Sequence, residues 1–257
     1  MAGAVDPRLS PDRLRALGLS RDPFAPPEEA AALFRNTALD MLCRALWSRI
    51  EAGTRLQLVK GEPGSGKTAF ALRLAQEAPA GVRLTALRAR RNTGIGVLLA
   101  RLAGFSAATE VHTLAVQAAA AVFRTLRQGR QPVLLIDDAD RLADPVLRML
   151  LRFQRAVAAQ GRGELCTVLL GEKALEARLA AFDPALLPAE TFYSHQLRPL
   201  SRQDALDYLA FRYRSAGGDR LPLSARRLAR LAERAGGLPG RLDALAREAL
   251  ARRRWWG

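Results

Sequence analysis

Between residues 36 and 199, short apolar runs alternate with longer stretches in which apolar positions recur every three to four residues. The segment Asn36–Glu51 places Leu39, Leu42, Leu46 and Ile50 on one helical face. A short apolar strand follows at Arg55–Val59, then a helix at Gly66–Gln76 and a second strand at Val82–Leu87. Two helices are predicted near Gly96–Leu102 and Thr109–Gln128. Pro132–Asp137 reads as a fully apolar strand ending in acids, and Pro145–Ala159 as an amphipathic helix. Leu165–Leu170 is another buried strand, Ala174–Ala181 a helix, and Phe192–Leu197 the last strand. Strands alternating with helices imply a mostly parallel sheet covered by helices.

The pattern changes after Pro199. Ser201–Ser215, Ser224–Arg234 and Gly240–Arg254 all have helical period, with Ser201 and Ser224 as N-caps and Gly236–Gly237 as a stop. No strand signal appears there, which predicts a small helical domain. The organisation expected is therefore an N-terminal arm over 1–35 with a short helical pattern at Pro11–Leu17, an α/β domain over 36–199, and a helical domain over 200–257.

Composition adds little to that outline until charge is considered. Hydrophobic residues make up 49% and charged residues 25% of the 257, an ordinary balance for a globular chain. No apolar run approaches the roughly 18–20 residues that span a bilayer, and the N-terminus carries acids and prolines early, so a cytoplasmic protein without an integral membrane segment is expected. Two distant cysteines, Cys43 and Cys166, suggest buried thiols, and two histidines exclude a histidine-rich metal centre. The formal net charge of +15 is the one unusual total. It admits two readings: attraction to a polyanion such as duplex DNA, or an arginine-rich composition spread along helices with no such role.

Chemistry concentrates at two places. Gly61-Glu62-Pro63-Gly64-Ser65-Gly66-Lys67-Thr68 fits the phosphate-binding P-loop pattern, between an apolar strand and a helix. Glycines let the backbone curl so that several amides face one anion, and the helix beginning at Gly66 adds its positive dipole end. Lys67 is placed to reach the β- and γ-phosphates of ATP, and the Thr68 hydroxyl to ligate magnesium; Ala69 completes the nucleotide-contacting run. The second place is Val133-Leu134-Leu135-Ile136-Asp137-Asp138, a buried strand that ends in two carboxylates, where a parallel sheet offers its ligands. Asp137 is expected to hold magnesium, directly or through water. Asp138 is expected to polarise the attacking water, with a solvated strand-end acid as the plainer alternative.

With these motifs and the helical tail, the chain resembles the AAA+ ATPases, and within them the ExeA/GspA-type proteins and the related transposition ATPases of the TniB type. Leu17-Gly18-Leu19-Ser20-Arg21-Asp22-Pro23-Phe24 is similar to the family's entry segment, and Leu169-Leu170-Gly171-Glu172 to its sensor-1 region. Leu197-Arg198-Pro199-Leu200-Ser201 resembles the hinge into the lid, and Gly237-Leu238-Pro239-Gly240-Arg241 the sensor-2 turn. The resemblance implies a P-loop sheet sandwich with a C-terminal helical lid, ATP and Mg2+ as cofactors, and a homo-oligomer. It also implies that Arg241 reaches the phosphates from the lid.

Two departures from the family's pattern stand out. A polar sensor residue is not evident in Thr167-Val168-Leu169-Leu170-Gly171-Glu172, where Thr167 or Glu172 is the substitute available. Glu190 or Thr191 occupies the place of the arginine that acts on a neighbouring subunit, leaving Arg178 as a replacement. Both departures, with the short Asp138, imply slow hydrolysis or a switch that mainly binds ATP. The function implied is ATP-driven assembly or remodelling of a partner complex, as in secretion or pilus machinery; Trp255-Trp256 beside arginines reads as a ragged tail or, alternatively, as a contact suited to the inner face of a membrane. The alternative is an ATP-dependent regulator that binds duplex DNA through its phosphates. A small-molecule kinase is argued against by the Asp-Asp strand end and the three-helix C-terminus.

Overall fold

The computed structural model describes residues 9–25, 33–104, 110–187 and 192–252. By its internal contacts the chain forms two compact units. The larger contains α2 (Thr37–Glu51), β1 (Leu56–Lys60), α3 (Lys67–Gln76), β2 (Val82–Arg88), α4 (Ile95–Ala103), α5 (Val111–Arg127) and β3 (Gln131–Asp137). It continues through a 3-10 turn at Ala139–Arg141, α6 (Asp144–Ala158), β4 (Cys166–Gly171), α7 (Lys173–Ala180) and β5 (Phe192–Gln196). All paired strands run parallel, in the order β2-β3-β4-β1-β5.

Strand periodicity builds two cores from one sheet. Leu134 and Ile136 of β3, with Leu58 of β1 and Leu169 of β4, pack into the layer formed by α4, α5, α6 and α7. Val133 and Leu135, with Val59, Val168 and Leu170, face the opposite layer of α2 and α3. This is the helix-covered parallel sheet that the apolar runs predict. Where β2 is the sheet edge, arginines cover its outward carbonyls: Arg130 donates to the Val82 oxygen at 2.9 Å and Arg101 to the Ala86 oxygen at 3.3 Å. Charged side chains on an edge strand discourage pairing with another chain.

The smaller unit gathers α1 (Pro11–Ala16) with α8 (Arg202–Ser215), α9 (Ala225–Ala235) and α10 (Pro239–Ala251). Both serine caps form, Ser201 accepting from the Asp204 amide and Ser224 from the Arg227 amide. The Gly236–Gly237 stop has a second cause besides its positive φ of 59° and 71°. A Cβ on Gly237 would lie 2.2 Å from the Leu200 oxygen, and the Leu200 amide donates to the Gly237 carbonyl at 2.8 Å. Residues 9–25, read from the sequence as part of an arm, belong to this unit's core: Leu9, Leu17, Leu19 and Phe24 are buried against Leu209, Tyr213, Leu242 and Leu250. The last helix ends at Ala251, and the Trp255-Trp256 tail lies outside the described residues.

Buried arginines tie this unit together. Arg212 donates to the Pro23 carbonyl, the Tyr208 hydroxyl and Asp243, while Arg247 pairs with Asp22 at 2.9 Å. Burial raises the Asp243 carboxyl from 3.8 to about 6, against the opposing pull of Arg212. A carboxyl raised in the folded state binds its proton more tightly there than in the unfolded chain. Its contribution is therefore full below the unfolded value of 3.8 and is lost as pH rises through about 6. Asp243→Asn should abolish a decline of about 2–3 kcal/mol in this contribution across that window. Urea denaturation of both proteins at a series of pH values would reveal it as a difference in slope, whatever the variant's own stability.

Candidate nucleotide site

The P-loop leaves β1 at Lys60 and re-enters regular structure at Lys67, the first residue of α3. Gly64 and Gly66 hold φ of 78° and 95°, a region that side-chain-bearing residues avoid. The start of the loop is fixed by the Gly61 amide, which donates to the Gly171 carbonyl at the end of β4 at 3.1 Å. Lys67 folds back across the loop, its Nζ donating to the carbonyls of Gly61 at 2.9 Å and Glu62 at 3.1 Å. At the apex, the Gly64 carbonyl accepts the Gly240 amide at 2.9 Å. A Cβ on Gly240 would lie 3.0 Å from the Gly64 Cα, so a side chain there would push the loop away by a few tenths of an ångström.

Asp137 ends β3 and is nearly buried, at 5% exposure. The Thr68 hydroxyl, in the first turn of α3, donates to Asp137 Oδ2 at 2.8 Å. Oδ1 is buried and, among the described residues, accepts no hydrogen bond. Desolvation raises the Asp137 carboxyl above its ordinary value, opposed by the Thr68 hydrogen bond. A hydroxyl oxygen beside a carboxylate oxygen without a partner is a hard donor set of the kind magnesium takes, so these residues fit that ion. Among the described residues no three acids, histidines or cysteines cluster as metal ligands.

Asp138 has φ 53° and ψ 37°, and among the described residues it alone of the non-glycines has positive φ. The left-handed turn directs the chain out of the sheet and into the 3-10 turn. Its carboxylate is held by the Arg88 Nε at 2.8 Å and approached by the Arg141 Nε at 3.4 Å. Arg88 ends β2, in register with Asp137.

The AAA domain family profile matches residues 50–179, which is half of the chain and includes every residue from the P-loop to the end of β4. This chain is an AAA-domain protein. Its fold is similar to solved structures of Cdc6p from Pyrobaculum aerophilum (TM-score 0.65, 17% identity, covering 88% of this chain and 64% of that one). It is also similar to Aeropyrum pernix ORC1 solved in complex with DNA (TM-score 0.63, 20% identity, 91% and 64%) and to a Walker-type ATPase of Pyrococcus abyssi (TM-score 0.61, 14% identity, 86% and 69%). This AAA-domain protein thus spans about 64% of the length of the Cdc6p and ORC1 structures. No curated protein sequence matches it.

The remaining candidates separate sharply in the AAA-domain protein. Thr167 cannot serve as the sensor, because it is the second residue of β4 while the P-loop meets that strand at its far end, Gly171. Glu172 is at the right end, as the residue preceding α7. Arg178 spends its guanidinium within the chain, donating to Asp144 Oδ1 and to the carbonyls of Asp140 and Leu142. Glu190 and Thr191 lie outside the described residues. Arg241 is exposed in the first turn of α10. Sequence reasoning missed Arg88 and Arg141; the signal for Arg88 was its position at the end of the strand that precedes β3.

Asp138 is strained in backbone and paired in side chain, and the two effects are separable. Asp138→Val should destabilise the protein by about 1–2 kcal/mol, since a β-branched residue resists the left-handed region. Asp138→Asn should stay within about 0.5 kcal/mol of wild type, because an exposed arginine partner contributes little. Chemical denaturation midpoints at constant m would measure both.

Proposed function

We propose that this chain binds ATP with magnesium through Gly61, Glu62, Pro63, Gly64, Ser65, Gly66, Lys67, Thr68 and Ala69, and that it hydrolyses the nucleotide slowly as a molecular switch. The observation carrying this reading is the hydrogen bond from Thr68 to the buried Asp137, which leaves Asp137 Oδ1 without a partner. When bound, magnesium would neutralise phosphate charge, with Thr68 and Asp137 holding it. Lys67 already lies against the loop carbonyls, and exchanging these two acceptors for phosphate oxygens keeps its charge satisfied. Asp138 would take the proton of the attacking water, and Arg241 would add positive charge at the γ-phosphate. The ion pairs from Arg88 and Arg141 onto Asp138 support slow turnover, since a carboxylate held by guanidiniums is a weaker base.

The work such a switch performs has two readings. In the first, a homo-oligomer in the cytoplasm, or at the inner face of the membrane, assembles or remodels a protein complex in the manner of ExeA/GspA-type proteins. In the second, the oligomer regulates a process on duplex DNA, as transposition ATPases of the TniB type do. The net charge of +15 favours the second. The fold's similarity to ORC1, solved with DNA, is compatible with it.

Steady-state ATP hydrolysis with and without duplex DNA tests both. Lys67→Ala should lower turnover by about 10²-fold or more. DNA-stimulated turnover would select the second reading, and turnover indifferent to DNA the first; Lys67-independent turnover would overturn the site itself. Arg88→Ala should raise basal turnover several-fold by releasing Asp138, and a fall would reassign Arg88 to the phosphates.

A further inference from the structure

The helical unit carries a second charged feature, far along the chain from the P-loop. Along α9, Arg227, Arg230 and Arg234 recur at intervals of three and four, which puts them on one helical face. With Arg252 of α10 they line a groove of about 370 Å³. Its floor includes Leu231 and Ala249, each about 5% exposed. The nearby acids are already engaged: Glu248 pairs with Arg252 at 2.8 Å, and Glu233 with Arg202 at 3.8 Å. Among the described residues, Arg227, Arg230 and Arg234 have no carboxylate partner.

We propose that this groove holds consecutive phosphates of a nucleic-acid backbone, an inference that rests on the DNA reading above and gives it a surface. Three observations carry it. Like charges three and four residues apart repel one another, so a helix gains nothing for its own stability from this row. At 1.5 Å per residue the row extends about 10 Å, close to three nucleotide steps of about 3.4 Å measured along the axis of a duplex, so α9 lying along that axis spans consecutive phosphates of one strand. Four of the eight residues lining the groove are arginines and its one acid, Glu248, is paired with Arg252, so its charge is complementary to a polyanion. No amide or hydroxyl side chain lines it, so contact would go to phosphates and carry no base specificity.

The test uses the full chain with ATP and a fluorescent duplex, read by anisotropy between about 50 and 200 mM salt. The combined variant Arg227→Gln/Arg230→Gln/Arg234→Gln should bind at least roughly ten-fold more weakly, and its slope of log K against log salt should fall by about 2 to 3. Replacing the same three residues by lysine should keep most of the affinity, because phosphate contact needs charge more than geometry. Arg230 and Arg234 are exposed, Arg227 is half-buried, and all three lie outside the nucleotide site, so basal ATP hydrolysis should remain as in wild type. If wild type binds the duplex and the glutamine variant binds it equally with the same slope, the groove assignment is overturned while the DNA reading stands. If wild type binds no duplex, the DNA reading falls and the groove with it. Binding of polyglutamate to the groove without binding of duplex would likewise overturn it in favour of an acidic protein.

Discussion

Burying β3 on both faces leaves its carboxylates only one place to go. Every side chain from Val133 to Ile136 is consumed by the two cores, so polar chemistry can begin only where the strand runs out, at Asp137. There the chain meets a partner from two strands away: β4 lies between β3 and β1, and the helix that follows β1 carries Thr68 back across it to Asp137 Oδ2. The Gly61–Gly171 hydrogen bond fixes the start of that crossing. These two contacts define the site, and each exists because the sheet is covered on both sides. The same burial raises the Asp137 carboxyl and leaves one oxygen without a donor. A small desolvated anion is well suited to a hard cation and poorly suited to remaining alone.

Arginine is used in two ways, and the difference explains how a chain of this charge folds. Some arginines act as cross-links to backbone: Arg212 to Pro23, Arg13 to Leu250, Arg130 to Val82, and Arg178 to Asp140 and Leu142. Carbonyl oxygens take part of the role that carboxylates would otherwise fill, which a planar guanidinium with five donors can exploit. Others sit beside the acids at the end of β3, where Arg88 and Arg141 restrain Asp138. The outward row on α9 belongs to neither group. Net charge by itself does not distinguish these uses, and only the set without acceptors speaks to a polyanionic partner.

The sequence determined which elements form and what chemistry two of them carry. Full apolar runs marked the doubly buried strands, helical periodicity marked the covering helices, and Ser201, Ser224 and Gly236–Gly237 marked helix ends through local hydrogen bonding and backbone sterics. The P-loop and the Asp137–Asp138 strand end were readable because phosphate binding constrains adjacent residues. Only the tertiary structure decided the rest. It placed β4 between β1 and β3 and set its Gly171 end, not its Thr167 end, against the P-loop. It turned Arg178 inward, brought Arg88 onto Asp138, and packed residues 9–25 into a helical core nearly two hundred positions away. Periodicity and capping are written within a few residues, whereas strand order and the choice of an arginine's acceptor depend on which distant segments the folded chain brings side by side.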